Sequence, residues 1–112
     1  MKRVESSVDK IVTDIKNFYQ YDKHHFITIN AVDLGEKIEV QWFFCEYEKP
    51  SDVIMFFIQI NPTEQIPTIK KVIPAAWVAE AELVDLMGIN IENTPKGFVL
   101  EEDFKEVPLR KK

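Results

Sequence analysis

The run Val53-Ile54-Met55-Phe56-Phe57-Ile58, continued by Gln59 and Ile60, limits the fold of this chain more than any other stretch. It is apolar at nearly every position and is ended by Asn61-Pro62, which reads as a buried strand. Such a strand is covered on both faces, because one bare face would leave a row of large side chains in water. An amphipathic helix from the same chain covers one face. The other needs a second element or another chain.

The helix is expected upstream. Val4, Val8, Ile11, Val12, Ile15 and Phe18 recur at three- and four-residue spacing, one stripe of a helix from Val4 to Tyr19. Lys10, Asp14, Lys16 and Asn17 take its wet side. Gln20–His24 is a polar connector. His25–Val32 then reads as a strand with Phe26, Thr28, Asn30 and Val32 on one face and Ile27, Ile29 and Ala31 on the other. Asp33-Leu34-Gly35-Glu36 is a hairpin turn, with a glycine available for positive φ. Lys37–Tyr47 is the second strand, with Ile38, Val40, Trp42 and Phe44 on one face. Glu48–Asp52 is the next turn, leading into the apolar strand. Pro67 and Pro74 punctuate the segment after that strand. Pro74 opens a second helix, where its missing N–H costs nothing, and the helix runs to Met87 with Gly88 as a left-handed stop. Ile89–Leu100 alternates loosely, as a short strand would. The expected class is α+β: an N-terminal helix on a small, mainly antiparallel sheet, a second helix, and an extended C-terminal tail. Residues 1–88 form the compact domain and residues 89–112 the tail.

Composition removes several functions. A net charge of −5 argues against duplex nucleic acid, which calls for a basic face. No apolar run approaches the roughly 20 residues of a membrane helix, so no direct membrane insertion is expected. Met1-Lys2-Arg3 is followed by polar, amphipathic sequence rather than the apolar core of a signal peptide. The lone Cys45 allows no internal disulfide and suits a reducing cytoplasm. It cannot hold an iron–sulfur cluster alone. His24 and His25 are adjacent on a strand start and point to opposite faces, a poor pair for one metal ion. Three isolated glycines make no phosphate loop. Trp42, Phe43 and Phe44 read as sheet core rather than a base-stacking platform.

The second helix carries the residues of most interest. Glu80, Glu82 and Asp85 stand in a segment with no basic residue between Ala75 and Asn90. Glu82 and Asp85, three apart, share a face, with Glu80 off to the side. Asp85 falls in the last turn, where the helix dipole disfavours an anion. Solvent exposure is the plain reading of each. The sharper one is that a cation answers them, either Arg110 or a residue of another subunit. The tail has too few apolar residues to fold alone, yet it spaces out Phe98, Leu100, Phe104 and Leu109 as anchors. A segment of this kind orders on a partner.

Trp77, Glu80-Ala81-Glu82, Asp85-Leu86-Met87-Gly88-Ile89, Pro95, Leu100-Glu101-Glu102-Asp103-Phe104 and Pro108-Leu109-Arg110-Lys111 together resemble the signature of the C subunit of respiratory complex I, NADH-quinone oxidoreductase. The equivalent subunit of membrane-bound energy-converting NiFe hydrogenases carries the same pattern. Ile66-Pro67-Thr68-Ile69 is similar to that family's segment ahead of the helix. Ala81 stands where the family usually has arginine, Met87 where it has an aromatic, Asn93-Thr94-Pro95 where it has Gly-His-Pro, and Val107 where it has histidine. These departures favour a hydrogenase-type member.

The resemblance implies a non-catalytic accessory and assembly subunit of an oxidoreductase complex, without a cofactor of its own. It implies docking on the large catalytic subunit, which holds the NiFe centre or lines the quinone site, beside iron–sulfur subunits on the cytoplasmic face of the membrane. The implied partner-binding residues are Trp77, Glu80, Glu82, Asp85, Gly88, Pro95, Phe98, Leu100, Asp103, Phe104, Pro108, Leu109 and Arg110. Read without the resemblance, the same residues also suit a stand-alone protein- or ligand-binding α+β domain, or a small enzyme using the helix carboxylates.

Overall fold

A computed structural model describes residues 1–92 and Thr94. Four strands form the main sheet: β1 (Lys2–Glu5), β2 (His24–Asp33), β3 (Ile38–Glu46) and β4 (Lys49–Ile60). Their order across the sheet is β1-β4-β3-β2, with β1 parallel to β4 and the other two pairings antiparallel. Helix α1 (Ile11–Phe18) follows β1. After the sheet come β5 (Gln65–Ile66), a 3-10 turn at Pro74–Ala76, α2 (Trp77–Met87) and β6 (Asn90–Ile91), which pairs parallel with β5.

One face of the sheet makes the core. Ile38, Val40, Trp42 and Phe44 of β3 and Ile58 and Ile60 of β4 are essentially without solvent contact. Ile11 and Ile15 of α1 and Leu83, Val84 and Met87 of α2 pack in the same cluster. Both helices therefore lie on one side of the sheet. Phe18, Phe44 and Phe56 meet in edge-to-face pairs with ring centroids 5.2–5.9 Å apart, a geometry the ring quadrupoles favour. Ile89 and Ile91, just after Gly88, are buried in the same cluster.

The first helix differs from the sequence expectation. The stripe from Val4 to Tyr19 divides: Lys2–Glu5 is a strand, and the helix begins at Ile11. Ser7 O accepts the Lys10 and Ile11 amides at 3.0 and 2.8 Å to open the helix, and Ser6 Oγ donates to Asp14 Oδ2 at 2.7 Å. Val4 and Val8 still pack on the core, which is why they fitted a helical stripe. What competes is the edge of β4, whose unpaired backbone groups are satisfied by β1 from Lys2–Ile54 to Glu5–Phe57.

Two β-bulges also shift the sheet. In β2 the register slips between Phe26 and Thr28, leaving Ile27 as the extra, exposed residue. Phe26 then opposes Phe44 and joins the same face as Ile29 and Ala31. A second slip between Phe44 and Glu46 displaces Cys45. The β3–β4 turn is tighter than expected, with β4 starting at Lys49 rather than Val53. Pro50 is tolerated there because β1 reaches β4 only at Ile54, leaving the early part of β4 at an edge.

On the sheet face away from the helices, Met55 and Cys45 are buried and Phe43 and Phe57 are half-buried. Glu39 accepts from Gln41 Nε2 at 2.6 Å and pairs with Arg3 at 3.3 Å. The Arg3 guanidinium lies 4.4 Å from the Phe57 ring centroid. No helix among the described residues is long and apolar enough to cross a membrane.

Candidate partner-binding site

Helix α2 is held by its two ends. Pro74 opens the 3-10 turn, and Gly88 closes the helix at φ 68°, donating its amide to Val84 O at 3.2 Å. A residue with a Cβ is strained in that backbone, so glycine is the natural stop. Between these ends the helix divides its polar residues between inside and outside.

Glu80 is the inside one. It is 1% exposed, and its carboxylate accepts from Thr68 Oγ1 at 2.6 Å and from the Ile69 amide at 2.8 Å. Lys70 Nζ stands 4.0 Å away and also reaches Thr94 Oγ1 at 3.1 Å. The Lys70 amide donates back to Thr68 Oγ1 at 3.1 Å. Glu80 thus fixes the segment ahead of α2 and, through Lys70, the chain that follows β6. A buried carboxylate is tolerable only when so partnered. Read from the sequence, Glu80 offers its charge outward; here its cation and its hydrogen-bond donors come from inside the chain. From the sequence, Thr68 and Thr94 stand only inside the motif segments Ile66–Ile69 and Asn93–Pro95, and Lys70 is not named; none is assigned as a partner of Glu80. The signal was the helical spacing of Glu80 with Ala76, Leu83, Val84 and Met87, all buried, which places Glu80 on the core stripe.

Glu82 is exposed, whereas Asp85 is 2% exposed, so these two part company although they are three residues apart. Trp77 is 52% and Val78 44% exposed at the start of the helix. Val78, Glu82 and the half-buried Leu86 succeed one another at four-residue spacing and form the outward stripe. Beside that stripe, between α2 and β2, lies a cavity of about 400 Å³ lined by Ile29, Ala31, Asp33, Glu82, Leu83 and Met87. Pro95, Phe98, Leu100, Asp103, Phe104, Pro108, Leu109 and Arg110 lie outside the described residues.

Neither histidine joins this site. His24 is buried, stacks on Phe18 with centroids 4.3 Å apart, and accepts the Gln20 amide at Nδ1 at 3.0 Å. Burial, reinforced by Lys23, lowers its pKa below the ordinary histidine value. That agrees with the hydrogen bond, which needs Nδ1 unprotonated. Glu46, across the strand pair, is held below the ordinary carboxylate value mainly by Lys23, whose Nζ lies 3.1 Å away. Among the described residues no group of three or more His, Cys, Asp or Glu side chains is placed to hold a metal ion.

A family model described as the respiratory-chain NADH dehydrogenase, 30 Kd subunit, matches residues 4–112. The chain belongs to this subunit family. The resemblance read from the α2 and tail motifs is to the same subunit. Among solved structures, this member of the 30 Kd subunit family is similar to a chain of the membrane-bound sulfane sulfur reductase, an archaeal respiratory membrane complex. The TM-score is 0.80 at 22% identity, over 98% of this chain and 71% of that chain. It is also similar to the trypsin-resistant fragment (1-134) of Nqo5, with a TM-score of 0.61 at 19% identity, over 85% of this chain and 81% of that chain. At those identities the likeness is one of fold. Among curated proteins no relative matches the chain.

Proposed function

We propose that this chain is a cofactor-free accessory and assembly subunit of a membrane-associated oxidoreductase complex, of the energy-converting NiFe hydrogenase or complex I type. In this reading the NiFe centre and iron–sulfur clusters belong to neighbouring subunits. The chain sits on the large catalytic subunit at the cytoplasmic face of the membrane. Its work is recognition. The outward stripe of α2, with Trp77 and Glu82, supplies one contact, and residues 95–112 lay Phe98, Leu100, Phe104, Leu109 and Arg110 along the partner. Phe and Leu anchors would bury apolar surface, and the planar fork of Arg110 suits a partner carboxylate.

The observation that carries this reading is that the family match spans residues 4–112, so its range includes the tail as well as the folded domain. The fold likeness to a chain of an archaeal respiratory membrane complex supports the membrane-complex setting. Native purification through a tag on this chain, followed by subunit identification, tests it. Recovery with a large catalytic subunit and iron–sulfur subunits in equal amounts is expected. Recovery of this chain alone from gently solubilised membranes contradicts it.

A further inference from the structure

We infer that the outer edge of β2, together with the groove beneath it along α2, receives an extended segment of a partner subunit. That segment pairs as a fifth strand and carries a lysine or arginine opposite Glu82 and Asp33. This inference deepens the proposed function and rests on it.

Strand β2 is ten residues long and stands at the end of the strand order, with no pairing on its outer side among the described residues. Its pairing groups can be assigned. The Leu34 amide donates to Lys37 O at 2.8 Å, which makes Leu34–Lys37 a hydrogen-bonded pair. In an antiparallel ladder such pairs alternate with non-bonded ones. Continuing the register, Val32–Glu39 and Asn30–Gln41 are bonded pairs, so the N–H and C=O groups of Ile29, Ala31 and Asp33 point away from the sheet. Between Ile29 and Asp33 the edge has no proline, no lysine and no bulge, and Asp33 is its one charged residue.

The groove fits the side chains of such a strand. Alternate residues of an added strand face the α2 side, where Ile29, Leu83 and Met87 floor the cavity of about 400 Å³. Asp33 and Glu82 also line it; Asp33 Oδ1 accepts the Gly35 amide at 2.8 Å, and neither carboxylate makes an ion pair among the described residues. An apolar floor with two such anions calls for alternating apolar side chains and one cation. A second copy of β2 does not supply that, because Phe26–Asp33 contains no basic residue.

Amide exchange measured on the native complex and on the isolated full-length chain tests the inference, together with a photo-crosslinker at Val32, which is exposed on β2. Exchange at Ile29, Ala31 and Asp33 is expected to slow by at least about tenfold on assembly. The crosslink is expected in a partner segment of alternating apolar residues with a lysine or arginine. Glu82→Lys, an exposed position, is expected to weaken retention in the complex by about tenfold. An intact complex in which these amides exchange as fast as in the free chain overturns the inference and leaves the proposed function standing. Protection already present in the free chain, from its own residues 95–112 or from a second copy, also overturns it. If no complex is recovered, the proposed function falls and takes this inference with it.

Discussion

Glu80 and Asp85 are five positions apart on α2 and both are buried, while Glu82 between them is in water. The fate of each depends on its place relative to Leu83 and Val84, which face the core. Removing the Glu80 carboxylate strands two donors, Thr68 Oγ1 and the Ile69 amide, in a dry environment. Glu80→Ala is expected to cost about 2–3 kcal/mol, the range for lost hydrogen bonds to a charged group, read from urea unfolding. Glu80→Gln keeps an acceptor and is expected to cost less than the alanine variant. His24 sets a pH dependence. Its pKa is lowered in the folded state, so the unfolded chain binds more protons near the ordinary histidine value. Stability is therefore full above about pH 6.5 and falls as the pH drops below it. Glu46, also lowered, adds a second loss that begins near the ordinary carboxylate value of 4.5. The urea midpoint of His24→Phe is expected to stay level across the first window and to fall only in the second.

At the scale of elements, what could be read depended on how many residues carried the signal. Strands β3 and β4 and helix α2 each have a long periodic or continuous apolar pattern; β3 lies within a residue of its expected bounds, β4 ends at Ile60 as expected but begins four residues early at Lys49, and α2 ends at Met87 after a 3-10 turn at Pro74–Ala76. Gly88 is the stop its type suggests, and Gly88→Ala, forced to φ near 68°, is expected to lose about 1 kcal/mol by thermal or urea unfolding. Strand β1 was not legible, because Lys-Arg-Val-Glu has a single apolar residue and becomes a strand only when the β4 edge is there to pair with it. The bulge at Ile27 was hidden for the same reason: it belongs to the register between two strands and to no local motif. Deleting residues 1–5 is expected to speed amide exchange on β4 selectively between Ile54 and Phe57, where β1 pairs. Equal acceleration over the whole sheet would mean that β1 is part of the global unfolding unit.

For the whole molecule, the helix-facing side chains of the apolar run, Ile54, Phe56 and Ile58, pack in the core, while Val53 and Phe57 on the other face are half-buried. Both helices lie on the Trp42 side; on the other face Met55 and Cys45 are buried, Phe43 is half-buried, and Arg3 pairs with Glu39 and lies over the Phe57 ring. The candidate site was legible in part. The family resemblance lay in the ordered motifs of α2 and the tail, and the matched family is the one they suggested. The groove beside β2 was invisible, since it needs the α2 stripe and the β2 edge brought together from opposite halves of the sequence. The central claim, that residues 95–112 serve a neighbour, is tested most directly by amide exchange across that segment in the free chain and in the native complex. These amides are expected to exchange fast in the free chain and to become protected on assembly. Uniform protection in the free chain, unchanged by assembly, would contradict the claim.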